Sequence, residues 1–219
     1  EQVSFPVIYH FSDLRANILN WYPIKKSDSV LEIGAGCGAI TGTLCEKAGQ
    51  VTSVELSKRR AQINYYLNEK KDNLTIMVGN LNDMDLGQQY DYVVVNGVLE
   101  YAMSFTEGDT PYETFLGKMG SYLKNTGKLL IAIENKLGMK YFAGAPEDHT
   151  DIPFFGINGY PENHSVRTFS KTELQELVKK SGFPFQKFYY PYPDYKFPTE
   201  IFTDASLTTN HYGKNYPIY

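Results

Sequence analysis

A run of glycines behind an acid, Val30-Leu31-Glu32-Ile33-Gly34-Ala35-Gly36-Cys37-Gly38, has the form E-x-G-x-G-x-G. Glycines reach positive φ without steric cost and let the backbone pass close to a ligand, and a helix starting beyond them offers free N–H groups. A nucleotide-like ligand fits over such a turn. A second acid, Glu55, closes the run Val51-Thr52-Ser53-Val54, and a carboxylate at that strand end can accept hydrogen bonds from both hydroxyls of a ribose. Read this way, Glu55 has little structural duty, so Glu55→Ala is expected to weaken ligand binding and leave the fold intact. Two groups suit proton transfer. Glu134 ends an apolar run, and His149 sits beside Glu147 and Asp148, whose charges can raise its basicity or hold its tautomer. Glu100, Tyr101 and His164 are weaker candidates.

The elements that must carry these residues alternate short β-branched runs with longer amphipathic segments, the pattern of a doubly wound α/β domain with a mostly parallel sheet. Strands are predicted at 29–33, 50–55, 74–78, 90–96 and 127–134. The apolar run Val93-Val94-Val95 marks the fourth as buried on both faces and central. Helices are predicted at 39–48, stopped by Gly49, and at 58–69, capped by Ser57. Two capping boxes, Thr110-Pro111-Tyr112-Glu113 and Ser170-Lys171-Thr172-Glu173, open a helix reaching about Leu123 and another ended by Gly182. A sixth strand is expected at 185–190, and none is visible beyond it, leaving the last strand of the sheet irregular or missing. Residues 138–168 lack periodicity and collect Gly, Pro and aromatic residues; a segment of this kind inside a compact domain is expected to be an acceptor-side lid. Gly144, Gly156 and Gly159 would be its hinges, with Phe154, Phe155 and Tyr160 on its apolar underside.

With 219 residues, 42% hydrophobic and 21% charged, the chain suits a single domain with its own core. A net charge of −4 supplies no field for a phosphate backbone, so nucleic acid is not an expected partner. No 18-residue apolar stretch and no leader pattern is present, which argues against membrane insertion. Cys37 and Cys45 fall on one predicted helix about 12 Å apart, too far for a disulfide, which fits a reducing, cytoplasmic setting. With no histidine beside the cysteines, no metal site is expected. Aromatic residues make up 15% of the chain and crowd its last third, where 189–219 reads as an aromatic, proline-rich tail.

An acid two residues before the first glycine, with the third glycine one position earlier than G-x-G-x-x-G, resembles the class I S-adenosylmethionine-dependent methyltransferases and not the dinucleotide dehydrogenases. The resemblance spans Val30 to about Phe188 and implies a Rossmann-like methyltransferase fold with S-adenosylmethionine as cofactor. It places Glu32, Gly34, Ala35, Gly36, Gly38, Glu55 and Leu56 around the adenosyl group. Val78-Gly79-Asn80-Leu81 matches the adenine loop, with Asn80 standing where the family commonly has Asp. The fourth strand, with Asn96 and Gly97 at its exit, would run beneath the methionine moiety, whose carboxylate Arg15 would pair. Many relatives end this motif in Glu-His; here Tyr101 replaces the His. A finer resemblance, carried by Ile131 to Gly144, Glu147-Asp148-His149 and Phe188 to Lys196, is to methyltransferases encoded among bacterial glycosyltransferases for surface glycans. It implies a small-molecule or sugar acceptor, with O-methylation assisted by Glu134 or His149 as the expected reaction and glycosyltransferases or a larger parent chain as expected partners. The rival readings are an NAD-dependent oxidoreductase and a non-catalytic module on the same fold.

Overall fold

Parallel pairing follows from the alternation of short apolar runs with helices long enough to cross back over a sheet. The computed structural model describes residues 4–161 and 165–207. Its main sheet contains β1 (Ser29–Ile33), β2 (Gln50–Glu55), β3 (Leu74–Val78), β4 (Tyr90–Asn96) and β5 (Leu123–Ala132). The order is β3-β2-β1-β4-β5, with every neighbouring pair parallel. All five carboxyl ends therefore lie along one edge, and the order reverses between β1 and β4, where ligands of such sheets bind.

Side-chain alternation along the strands builds a core on each face. Leu31, Ile33, Val93 and Val95 pack with Tyr112, Phe115, Leu116 and Met119 of the Pro111–Ser121 helix and with Val178 of the Lys171–Lys180 helix. Val30, Val51 and Val94 face the other way, onto Ile40, Leu44, Cys45 and Ala48 around the Thr41–Lys47 helix. The Lys58–Leu67 helix crosses between β2 and β3, and Ser57 caps it as expected. Burial of the central strands on both faces bears out the doubly wound architecture.

Several local expectations need correction. β5 begins at Leu123, because Leu123 pairs with Tyr90 before an irregularity in register, and it stops two residues short of Glu134. The Thr110 side chain makes no cap hydrogen bond, so that capping box does not form, whereas the Ser170–Glu173 box does. The Thr41–Lys47 helix starts beyond Cys37, which lies in the turn; both cysteines are buried free thiols. The strand expected at 185–190 is instead β6 (Tyr189–Tyr192), paired antiparallel with β7 (Glu200–Thr203) in a separate two-stranded sheet. Prolines had argued against any strand beyond Pro191. An isolated ribbon tolerates them, since its outer N–H groups bond nothing. Among the described residues no helix is long and apolar enough to cross a membrane.

Candidate functional site

The glycine turn links β1 to the Thr41–Lys47 helix at the carboxyl edge. Gly34 and Ala35 donate to the Val54 carbonyl at 2.8 and 3.3 Å, and Gly38 donates to Ala35. The N–H groups of Gly34 and Ala35 thus hold the turn against β2. Gly36 has φ +58, and a Cβ there would meet nothing within 4 Å. The turn presents an open face at that point. At Gly38, φ is +88 and a Cβ would strike the Asn64 side chain at 2.3 Å, so the third glycine lets the turn pack on the Lys58–Leu67 helix.

Two acids brace the turn. Glu55, at the end of β2, accepts from Gly36 N–H and Ser57 N–H, both at 2.8 Å. It therefore carries structural load, contrary to the expectation of an idle edge carboxylate. Each of its oxygens keeps a second lone pair for a ribose hydroxyl. Glu32 is only 1% exposed and accepts from Thr41 at 2.7 Å and from Ser53, tying the helix and β2 beneath the turn. Burial lifts its carboxyl to about 7 against these two hydrogen bonds, with the Glu55 charge adding to the rise. Both of these hydrogen bonds fall on Oε2, so Glu32 braces the turn from below, and its buried Oε1 is left without a hydrogen-bond partner.

Other expected cofactor residues divide similarly. Leu56 is exposed beside Glu55 and is free to cover a flat ring. The Asn80 amide is engaged within the protein: its oxygen accepts from Asn82 N–H at 3.1 Å and its nitrogen donates to the Phe105 carbonyl. The Leu81 side chain is part of the core. Asn96, at the end of β4, has a buried side-chain oxygen without a hydrogen-bond partner. Gly97 has φ +68, and a Cβ there would come within 3.0 Å of the Tyr195 hydroxyl. Arg15 is buried, stacks on the Tyr9 ring at 4.3 Å and donates to the Lys196 carbonyl at 3.0 Å, so it holds the tail in place; its Nε is unpartnered. The open Gly36 face, the adjacent Glu55 and the unpaired Asn96 oxygen fit an adenosyl ligand carrying hydroxyls and an amino group.

Beyond β4 and β5 the candidate catalytic residues converge. His149 comes from the segment expected to be a lid, and its side chain is 7% exposed. Its Nδ1 lies 2.8 Å from Glu147 Oε1 and its Nε2 lies 3.8 Å from Glu100 Oε1. Burial pushes this imidazole down, but the facing carboxylates of Glu100, Glu147 and Glu134 override it and raise it to about 10. A histidine so held is protonated at neutral pH; its expected gain in basicity is real, yet it makes a resting proton donor and not a resting base. Glu147 is held down to about 2, with burial opposing and hydrogen bonds from His149 and Thr150 prevailing. Glu134 is buried and paired through Oε1 with Lys196 Nζ at 2.5 Å. Tyr101 sets its ring edge against His149 at 5.4 Å between centroids, so an imidazole reaches the place beside residue 101 from a distant loop.

Sequence reasoning undervalued Glu100, which is 1% exposed, and missed Lys196 altogether. A lysine in a Pro-punctuated tail carries no signal until the tail folds over the sheet edge. His149 and Arg167 reach that edge, His149 through Nε2 facing Glu100 and Arg167 through its N–H donated to the Glu100 carbonyl at 3.0 Å; Tyr160 is buried, its hydroxyl bonded to Thr168 and to Glu147. Phe155 is buried beside it and Phe154 is exposed. His164 lies outside the described residues.

Residues 31–129 match the family described as a methyltransferase domain. The malonyl-[acyl-carrier protein] O-methyltransferase of Priestia megaterium is 28% identical over 74% of this chain and 48% of its own length. Phosphoethanolamine N-methyltransferase 1 of Arabidopsis thaliana is 30% identical over 50% of this chain and 23% of its own. This chain thus spans half or less of these curated relatives. Among solved structures, the Haemonchus contortus phosphoethanolamine N-methyltransferase 1 in complex with phosphoethanolamine and S-adenosylhomocysteine superposes with a TM-score of 0.55 at 20% identity, covering 74% of this chain and 32% of that one. A putative O-methyltransferase from Nostoc punctiforme gives a TM-score of 0.56 at 17% identity, covering 83% and 52%. The fold, the glycine turn and these matches together make residues 31–129 similar to a methyltransferase domain, on a Rossmann-like methyltransferase fold, and indicate S-adenosylmethionine as the cofactor.

Proposed function

We propose that the protein transfers a methyl group from S-adenosylmethionine to a hydroxyl of a small-molecule or sugar acceptor. The observation that carries this reading is the convergence of Glu100, Glu134 and His149 at the carboxyl edge, beyond the strand ends that flank the glycine turn. S-adenosylmethionine, when bound, supplies an electrophilic methyl group. Glu55, Leu56, Asn96 and Gly97 would hold it over the open face at Gly36, and Glu32 would act only by fixing the turn. Asn80 and Leu81 would shape the adenine side through their backbone, and Arg15 through the tail it holds.

A hydroxyl is a poor nucleophile, and a carboxylate within reach that takes its proton assists the attack. Glu134 is our choice for that role, with Lys196 fixing its orientation and charge. His149, protonated, would hydrogen-bond and orient the acceptor oxygen, so most of the rate gain would come from alignment. The segment 138–168 would form the acceptor-side wall and exclude water, as the buried Phe155 and Tyr160 suggest. Sugar chemistry, a cytoplasmic site and work beside glycosyltransferases belong to the same reading, supported by the buried free thiols and the 131–149 and 188–196 runs.

Purified protein should gain thermal stability from S-adenosylhomocysteine and not from NAD. It should also transfer labelled methyl groups to a component of a nucleotide-sugar or glycan pool. Protection by NAD alone would overturn the cofactor assignment. Silence towards both ligands would favour a non-catalytic module.

A further inference from the structure

We propose that Glu100, Glu134 and His149 form a binding site for a divalent cation, of the Mn²⁺ type, on the acceptor side of the sheet edge. One donor atom from each residue lies within 4.8 Å of the other two. Octahedral bonds of about 2.1 Å place donors roughly 3–4.2 Å apart, so small side-chain adjustments complete the geometry. The donors reach this point from the exit of β4, the exit of β5 and the 138–168 segment, three regions that only tertiary folding joins.

A second feature points to a missing ligand. Glu100 and Glu134 are 1% and 5% exposed, and each keeps one carboxylate oxygen, Oε2, with no hydrogen-bond partner. Buried carboxylate oxygens without partners are costly and call for an ion or water. Lys196 occupies only Oε1 of Glu134. Around the cluster, five carboxylates (Glu100, Glu134, Glu147, Asp148 and Asp194) face two lysines, Lys140 and Lys196. With the imidazole protonated the excess is still negative, and a divalent cation would displace the Nε2 proton, offset the remaining charge and take over from that proton the fixing of an acceptor oxygen.

The imidazole is also held as metal-binding histidines are. Glu147 engages Nδ1 at 2.8 Å while accepting from the backbone N–H groups of His149 and Thr150 and from the Tyr160 hydroxyl. This fixes the ring and turns Nε2 towards Glu100, the carboxylate–histidine arrangement that orients a ligating nitrogen. Two hard oxygens with one imidazole nitrogen suit Mn²⁺ or Zn²⁺ better than Mg²⁺, which prefers oxygen throughout. Two cysteines without a nearby histidine had led to an expectation of no metal; the donors here are carboxylates that spacing along the chain does not connect. The site stands on its own geometry, and only its use, fixing an acceptor hydroxyl, rests on the transfer reading above.

The test is a titration of EDTA-treated protein with Mn²⁺, followed by the loss of the free-ion electron paramagnetic resonance signal, with Zn²⁺ and Mg²⁺ as competitors. We expect one ion per chain with a Kd at or below roughly 100 µM, weakened at least tenfold in Glu100→Gln and in His149→Ala. Bound Mn²⁺ in the unaltered protein should show nitrogen coupling from one imidazole, a readout independent of whether either variant folds. Absence of saturable binding, equal binding by both folded variants, or bound Mn²⁺ without nitrogen coupling each overturns the site. Calorimetry with S-adenosylhomocysteine on the same metal-free sample tests the transfer reading separately. Its failure beside intact Mn²⁺ binding would remove the reaction and leave the site.

Discussion

Glu55→Ala should destabilise the ligand-free protein as well as weaken cofactor binding. The carboxylate accepts two backbone N–H groups at 2.8 Å, from Gly36 in the turn and from Ser57 at the cap of the following helix. A hydrogen bond to a charged group contributes about 1.5–3 kcal/mol net. The lower end applies here, because the open space at Gly36 lets water reach a freed N–H. The two bonds together then contribute about 3 kcal/mol. In a chain of this length each kcal/mol moves Tm by about 2–4 °C, so the ligand-free variant should melt roughly 6–12 °C lower. Glu55→Gln keeps one acceptor oxygen and should fall between. Losing the ribose contacts should reduce S-adenosylhomocysteine affinity at least tenfold, about 1.4 kcal/mol, as read by calorimetry below the melting range. Differential scanning calorimetry of the ligand-free proteins decides the structural half. A Tm within about 2 °C of the parent would refute the bracing role, and an unchanged dissociation constant would remove Glu55 from the cofactor site.

Glu32 is lifted from 4.5 to about 7 by burial, so its contribution is fully present below about pH 4.5 and is lost as pH rises through 7. The parent should lose on the order of 3 kcal/mol relative to Glu32→Gln between pH 4.5 and 8, measured by urea unfolding; a constant difference across that range contradicts the buried, proton-binding carboxyl. Glu134→Gln and His149→Ala should each slow methyl transfer by about a hundredfold or more. Cofactor affinity should change less than about threefold in both, and a parallel loss of S-adenosylhomocysteine binding would move these residues from the acceptor side to the cofactor side.

Much of the architecture is legible along the chain because its causes are local. Val93-Val94-Val95 suits a strand covered on both faces, and the spacing of Glu32, Gly34, Gly36 and Gly38 between a strand pattern and a helix pattern marks a tight turn. Ser170 and Glu173 cap their helix through atoms three residues apart, so the box could be seen before the fold. Thr110 and Glu113 show the limit of that logic: the residue types are right, but at Thr110 the backbone turns to φ −129 and ψ 61 and the hydroxyl bonds no N–H. What tertiary structure alone decided is which polar groups meet. Glu55 and Gly36 are brought together by the pairing of β1 with β2, which turns an edge acid into a brace. Glu100, Glu134, His149 and Lys196 come from four separate segments and share one place because parallel strands put all their carboxyl ends on one edge and the stretches that carry His149 and Lys196 both fold across it. Electrostatics there depends on distances through space, and those distances are written nowhere in the order of residues along the chain.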